Sequence, residues 1–356
     1  MQRADAVIAG AGIIGLSAAV ELASAGLRVV VFERGNAMHE CSWAAAGMLA
    51  ANDPDNSDTL RPLSKLSIGL YPEFLARIAQ LTGQKIPIRT TQTLQGAHTL
   101  PSGFEQVDAE TIQAIAPGLR TDGLFFFLLE EQSLDPRDLA RALPVAAKAL
   151  GVTLIEQTEV TAIKPQHEAV EVQTTAGEWH GTHFINACGA WASDLAPVPI
   201  VPRKGQMLVV QCREQLDVAI RTPELYLLPR ADGRIVIGAT VEDAGYGKQV
   251  DPATIESLHK AAANLWPPVG VAKVLDSWAG LRPATPDALP VIGPSPETDS
   301  RGGPTANNWL ATGHFRNGIL LAPGTARLLR QMIFCEPFSI DASIFTACRF
   351  AASYAR

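Results

Sequence analysis

The chain has little that could cross-link it. Its five cysteines, Cys41, Cys188, Cys212, Cys335 and Cys348, are odd in number and scattered, with no Cys-x-x-Cys pair. That spacing offers neither a zinc site nor a redox couple, so reduced and mostly buried thiols are expected. The seven histidines also lack metal-ligand spacing, and no metal is expected. Long hydrophobic runs are missing too: the longest strongly apolar cluster, Leu124 to Leu129, falls far short of the roughly 18 residues that cross a bilayer. The first strand begins almost at Met1, which leaves no room for a signal peptide, and a cytoplasmic location is expected. Excess basic charge is absent. A net charge of −7 and a pI near 5.5 argue against a nucleic-acid partner, which would need clustered Lys and Arg to release counterions.

What is present is a chain of 356 residues, 47% hydrophobic and 18% charged, long enough for two packed domains. Ala6-Val7-Ile8-Ala9 reads as a buried strand. Gly10-Ala11-Gly12-Ile13-Ile14-Gly15 follows at once, then an apolar helix to Ala25 that Gly26 closes. A second strand, Val29 to Phe32, ends at Glu33, 18 residues beyond Gly15. Strand, glycine turn, helix, strand and acid together form a dinucleotide fingerprint in its proper context. Gly10, Gly12 and Gly15 permit a tight turn and close approach of the backbone to a pyrophosphate, and Glu33 would accept hydrogen bonds from a ribose. The fingerprint does not separate nicotinamide from flavin. Ser42 to Ala50 places small side chains where backbone amides could lie against a flat ring, although an ordinary Ala-rich helix reads equally well.

At the other end, Gly313-His314-Phe315-Arg316-Asn317-Gly318-Ile319 runs into an apolar helix through residue 334. First-turn N–H groups and the helix dipole favour an anion there, and Arg316 adds a fork for a carboxylate. Between the two ends a helix is expected over Ser67 to Gln80, and another from Asp135-Pro136 to Leu150, stopped by Gly151. A buried strand, His183 to Asn186, leads into Ala187-Cys188-Gly189-Ala190-Trp191, a second approach of strand and glycine to the same ligand. Residues 203–271 are rich in strands without βαβ alternation. The fold class expected is α/β, of the two-domain α+β kind: a Rossmann-type domain from 1–85, 141–200 and 272–335, an inserted antiparallel-sheet domain from 86–140 and 201–271, and a tail, 336–356, read as a strap on the surface or on a neighbouring subunit.

Ala44 to Met48, Tyr226 to Arg230, Trp278 to Pro283 and Gly313 to Pro323 together resemble the glycine oxidases, within the D-amino-acid oxidase family of FAD-dependent oxidoreductases. The resemblance runs in order through nearly the whole chain. It implies FAD in the Rossmann-type domain, with cofactor contacts at Ile13, Ile14, Glu33, Arg34, Cys41, Ser42, Ala46, Gly47, Met48, Val160 and the run His314, Phe315, Arg316, Asn317, Gly318, Ile319 and Leu320; Gly189 and Trp191 join them through the second strand approach. Substrate contacts fall on Arg282 and Arg316, with Tyr226 across the pocket. Gly280 and Pro283 would hold Arg282 as a rigid fork for an α-carboxylate. For Arg282 and Arg316 alike the alternative is a structural ion pair to an acid such as Asp287. The alternative for Tyr226 is a core tyrosine with its hydroxyl satisfied.

The implied reaction is oxidation of a small amino acid, glycine first and sarcosine or small D-amino acids next, by hydride transfer from Cα to flavin N5. The imine hydrolyses to a 2-oxo acid and ammonia, or in bacteria feeds thiazole assembly for thiamine, and O2 is reduced to H2O2. A D-amino-acid dehydrogenase that uses a quinone or partner acceptor is the alternative. Thiol-linked relatives carry Cys where this chain has Gly280, so FAD is expected to be non-covalent. Glu224 and Val241 stand where glycine oxidases can carry His and Met. A homo-oligomer is implied as well.

Overall fold

Uninterrupted apolar segments make strands that can be buried on both faces, and three of these lie side by side in the computed structural model, which describes residues 2–166, 168–296 and 307–353. Gln2–Ala9 pairs in parallel with Val29–Phe32, which pairs in parallel with Thr153–Ile155. On its other side Gln2–Ala9 pairs in parallel with Gly177–Asn186, which continues to Asn308–Thr312. Val291–Pro294 adds the one antiparallel strand at that edge. Val160–Pro165 and Val170–Thr174 fold back as a meander on Gly177–Asn186.

Helix Ile13–Ser24 leaves the first strand and packs against Gly318–Ile333 and Pro136–Ala149, with Arg61–Thr82 covering the latter two. Helix Gly318–Ile333 contains Pro323, whose missing N–H leaves the Ile319 carbonyl without its helical donor. Helix Arg61–Thr82 repairs the break. The Tyr71 hydroxyl donates to Ile319 O. The Ser67 hydroxyl donates to Leu320 O at 2.6 Å and accepts from Gly324 N at 3.0 Å. The break is thereby held in one geometry, and with it the helix N-terminus that faces the pocket.

The second sheet runs in the order Lys273–Ala284, Val201–Gln211, Arg234–Gly238, Tyr226–Pro229, Ala219–Arg221, Thr93–Ala97, Phe125–Leu129. It is antiparallel except between Ala219–Arg221 and Thr93–Ala97, which are parallel. Helix Pro252–Leu265 covers one face through Leu258 and Ala262, with Trp266 beyond its end. Val209, Leu228 and Val236 on the other face meet Ala46 and Met48. A small sheet of Met48–Leu49, Gln132–Leu134 and Ile88–Thr90 lies between the two large ones.

Two expected boundaries move. Residues 273–284, expected in the Rossmann-type domain, pair along the whole of Val201–Gln211 from Ala284↔Val201 to Lys273↔Gln211, so the chain returns only after Ala284. Helix Pro136–Ala149 begins before residue 141 and buries Leu139 and Leu143 in the core of the first sheet's helices. The tail packs on its own chain: Phe345 and Ala347 are fully buried, and Arg349 grips Asp287 at 2.7 and 3.2 Å. Tyr354 to Arg356 lie outside the described residues.

Ser67→Ala removes both the donor to Leu320 O and the acceptor for Gly324 N, and should lower stability by about 1–3 kcal/mol, read as a drop in the urea midpoint at unchanged m-value.

Candidate active site

The glycine turn divides its work. A Cβ at Gly10, where φ is +99°, would lie 2.5 Å from Ala187 O, and one at Gly15 would lie 1.9 Å from Gly10 O. Both serve close packing of backbone on backbone. A Cβ at Gly12 would meet only Ser42 Oγ, at 3.3 Å, and otherwise points into a cavity. The Ser42 hydroxyl accepts from Ile13 N at 2.9 Å, bringing the helix start and residues Cys41–Ala44 together. Glu33 pins the turn itself: its two oxygens accept from Ala11 N and Gly35 N, each at 2.9 Å. Arg34 lies 3.6 Å over the Trp191 ring, whose neighbour Gly189 has φ +56°.

The cavity, about 370 Å³, extends from this turn to the second sheet. Gly10, Gly12, Ile13, Ile14, Glu33 and Arg34 line one end of it, with Val160, Gly189 and Trp191 beside them. Cys41, Ser42, Ala46, Gly47 and Met48 line the middle, and His314 to Ile319 face them. Gly15 and Leu320 are not in its wall: the first packs against Gly10, and Leu320 is buried in the core of the helices. The Ala-rich stretch is not one helix. Helical geometry ends at Ala44, Ala45 is extended with ψ 151°, and Gly47 takes φ +90°. The Trp278 indole donates to Ala44 O at 3.1 Å, and buried Arg230 donates to Ala46 O while lying 3.6 Å from Asp135, so the carbonyls of this stretch are held by the second sheet. Burial holds the Arg230 guanidinium down to about 10.

Two expected substrate residues converge over the floor of the cavity. Arg282 lies across Gly205 of the neighbouring strand, where a Cβ would stand 2.2 Å from its Nη1. Tyr226 lies across its cross-strand partner Gly238, where a Cβ would stand 2.1 Å from its hydroxyl. Arg282 Nη1 donates to Thr240 O at 3.0 Å, and among the described residues it has no carboxylate partner; Asp287 belongs to Arg349. The Tyr226 hydroxyl donates to Met207 Sδ at 3.1 Å, and burial pushes it up to about 12 against the opposing pull of Arg282. His314 is buried, held down to about 3, and bonded to Thr325 Oγ1 at 2.9 Å. Tyr226 and His314 therefore both stay neutral between pH 5 and 10.

Arg316 takes the arrangement of its alternative, an ion pair. It lines the cavity, but its fork is engaged by the chain's own loop: Asp53 at 3.4 Å, Asp55 at 3.8 Å and Asn56 at 3.2 Å. Arg221, with Asp53 and Glu131, completes a buried charged cluster that the sequence reading did not contain.

The sequence model of the family described as "FAD dependent oxidoreductase" matches residues 5–332. The chain belongs to this DAO family. It is 37% identical over 350 residues to a bifunctional protein ThiO/ThiG of Trichormus variabilis, covering 92% of this chain and 52% of that protein, and so spans about half of that relative's length. It is 36% identical over 351 residues to a glycine oxidase of Pseudomonas aeruginosa, covering 92% of this chain and 94% of that one. The fold is similar to the crystal structure of glycine oxidase from Geobacillus kaustophilus, with a TM-score of 0.90, 28% identity and 98% and 99% of the two chains covered.

The residues present fit the cofactor of a DAO-family enzyme. The open face of Gly12, the small side chains of Ala44 to Gly47 and the N-terminus of helix Gly318–Ile333 bound one continuous cavity, with space where a Cβ would otherwise intrude. The missed residues, Gly205, Gly238, Arg221, Asp53 and Arg230, act through strand register and long-range contacts, for which no local pattern exists. Gly12→Val should empty the protein of FAD, seen as loss of the visible flavin absorbance at retained helix content. Gly205→Ala should keep the yellow colour but displace Arg282, weakening acetate at least tenfold in an absorbance titration.

Proposed function

We propose that the protein oxidises a small amino acid at Cα, glycine foremost and sarcosine or small D-amino acids after it. The observation that carries this is Arg282: a guanidinium set over a glycine, facing the cofactor cavity, with a backbone carbonyl and, among the described residues, no carboxylate as its protein partner. A free fork in a partly desolvated pocket binds an α-carboxylate bidentately and fixes the direction of the Cα–H bond. Tyr226, neutral at working pH, closes the opposite side of the substrate position as an apolar ring with one hydroxyl. Bound FAD supplies the acceptor for the two electrons that leave with the Cα hydrogen, and O2 takes them up as H2O2. The amine loses a proton, and the resulting imine is hydrolysed in water to the 2-oxo acid and ammonia.

The protein's part is orientation and electrostatics, which agrees with the neutral His314 and Tyr226 beside the cavity. The N-terminus of helix Gly318–Ile333 faces the same space and favours negative charge there. FAD held without a covalent bond is consistent with position 280, where a Cβ would lie 2.5 Å from Ala44 Cβ and leave no room for a cysteine side chain.

The test is the visible spectrum of the purified holoenzyme under anaerobic conditions, before and after glycine, sarcosine and a panel of D-amino acids. Bleaching by glycine at least as fast as by the rest supports the proposal, and a spectrum unchanged by all of them would overturn it; peroxide yield in air then reads the acceptor. Arg282→Ala should lose turnover by at least a hundredfold and keep its FAD.

A further inference from the structure

Four guanidinium groups line the cavity: Arg34 pairs with Glu40 at 3.7 Å beside the glycine turn, and of the other three, Arg221, Arg282 and Arg316, the protein neutralises two. Asp53 is the bridge: its Oδ2 lies 3.5 Å from Arg221 Nη1 and 3.4 Å from Arg316 Nη1, and its side chain is 7% exposed. Its other oxygen, Oδ1, accepts from Asp55 N at 3.0 Å, which fixes the carboxylate within its loop. Arg221 is 8% exposed, with Nε donating to Gln95 Oε1 and Nη1 lying 3.1 Å from Glu131 Oε2. Among the described residues its Nη2 is buried without a hydrogen-bond partner. Burial drives the Glu131 carboxyl upward against the attraction of Arg221, and the neighbouring charge of Asp53 adds to the rise, so the two acids share one guanidinium. Arg221 is the cross-strand partner of Tyr226, and both face the cavity that contains Arg282.

We propose that Asp53 determines substrate specificity by filling, with the protein's own carboxylate, the position that a second carboxylate of the substrate would take. The proposal rests on the amino-acid oxidation proposed above. With Asp53 in place, Arg221 and Arg316 are occupied and Arg282 is the single anchor, so the pocket accepts amino acids with one carboxylate. A second acidic group would have to approach Asp53 itself, in a buried space where like charges repel strongly. Without that charge, Arg221 would keep only Glu131 and Arg316 only the exposed Asp55 as carboxylate partners among the described residues, an excess of positive charge that a ligand carboxylate relieves.

The experiment uses the FAD-loaded full chain and Asp53→Asn, with acetate and malonate as probes in flavin-absorbance titrations and D-alanine and D-aspartate as substrates. The wild type should bind malonate no more tightly than acetate. In the variant the preference for malonate over acetate, and the kcat/KM of D-aspartate relative to D-alanine, should each rise at least tenfold, the latter mainly through KM. Unchanged ratios, with both ligands weakened alike, would show Asp53 to be only a structural ion pair and overturn the proposal. So would a wild type that already preferred malonate. If Asp53→Asn yields no holoenzyme, Asp53→Ser serves with the same criteria. Failure of the underlying reading appears separately, as a wild type whose flavin no amino acid reduces and acetate does not perturb, and that result would overturn both.

Discussion

A side chain that lies flat across a β-sheet must pass over the backbone of the next strand, and any Cβ there blocks it. The pocket floor depends on two exceptions. Gly205 lets the Arg282 guanidinium lie over its neighbour, and Gly238 does the same for the Tyr226 ring. Because Lys273–Ala284 and Tyr226–Pro229 lie on either side of the two strands that supply these glycines, the side chains approach one another from opposite directions over the centre of the sheet. Neither residue needs a long reach, and each is held by a single further contact, to Thr240 O and Met207 Sδ. The placement of the Arg282 guanidinium and the Tyr226 ring thus follows from strand register and two missing side chains, features of the sheet and not of a loop.

The electrostatics of the cavity follow the same economy. Two neutral groups border the cavity, Tyr226 through a raised pKa and His314 through a depressed one, with the Arg282 guanidinium over its floor. Paired charges lie towards the ends. At one, Glu33 ties the glycine turn to the second strand; at the other, Asp53 sits between Arg221 and Arg316. Paired charges in a partly buried site restrict what else can enter it more than they stabilise the fold.

The Rossmann-type half was largely legible because its signals are local. Gly10 to Gly15, the capping proline Pro136 and the stops at Gly26 and Gly151 all act within a few residues of where they are read. The second sheet was legible as strands but not as pairings. Trp278-Ala279-Gly280-Leu281-Arg282 reads equally well as a strand of either sheet, and what settles it is pairing with residues some seventy positions earlier. The site divided the same way. Arg282 stood out between a glycine and a proline, and so did Arg316; that one faces an open cavity and the other the carboxylates of Asp53 and Asp55 is decided by residues far away in sequence. The repair of the Pro323 break by Tyr71 and Ser67 likewise joins positions some 250 residues apart.

Arg230 has a consequence for how the two halves hold together. Its side chain is 4% exposed and spans from the second sheet to the Ala46 carbonyl and the Asp135 carboxylate, both on segments that belong with the first. It works as a rivet: separating the two halves would break, at once, a hydrogen bond and an ion pair that are shielded from water. The contacts of Arg316 with Asp55 and Asn56 at the cavity wall are, by contrast, partly exposed and cost less to break. The seam between the two halves is thus fastened firmly at its buried point and loosely at its rim.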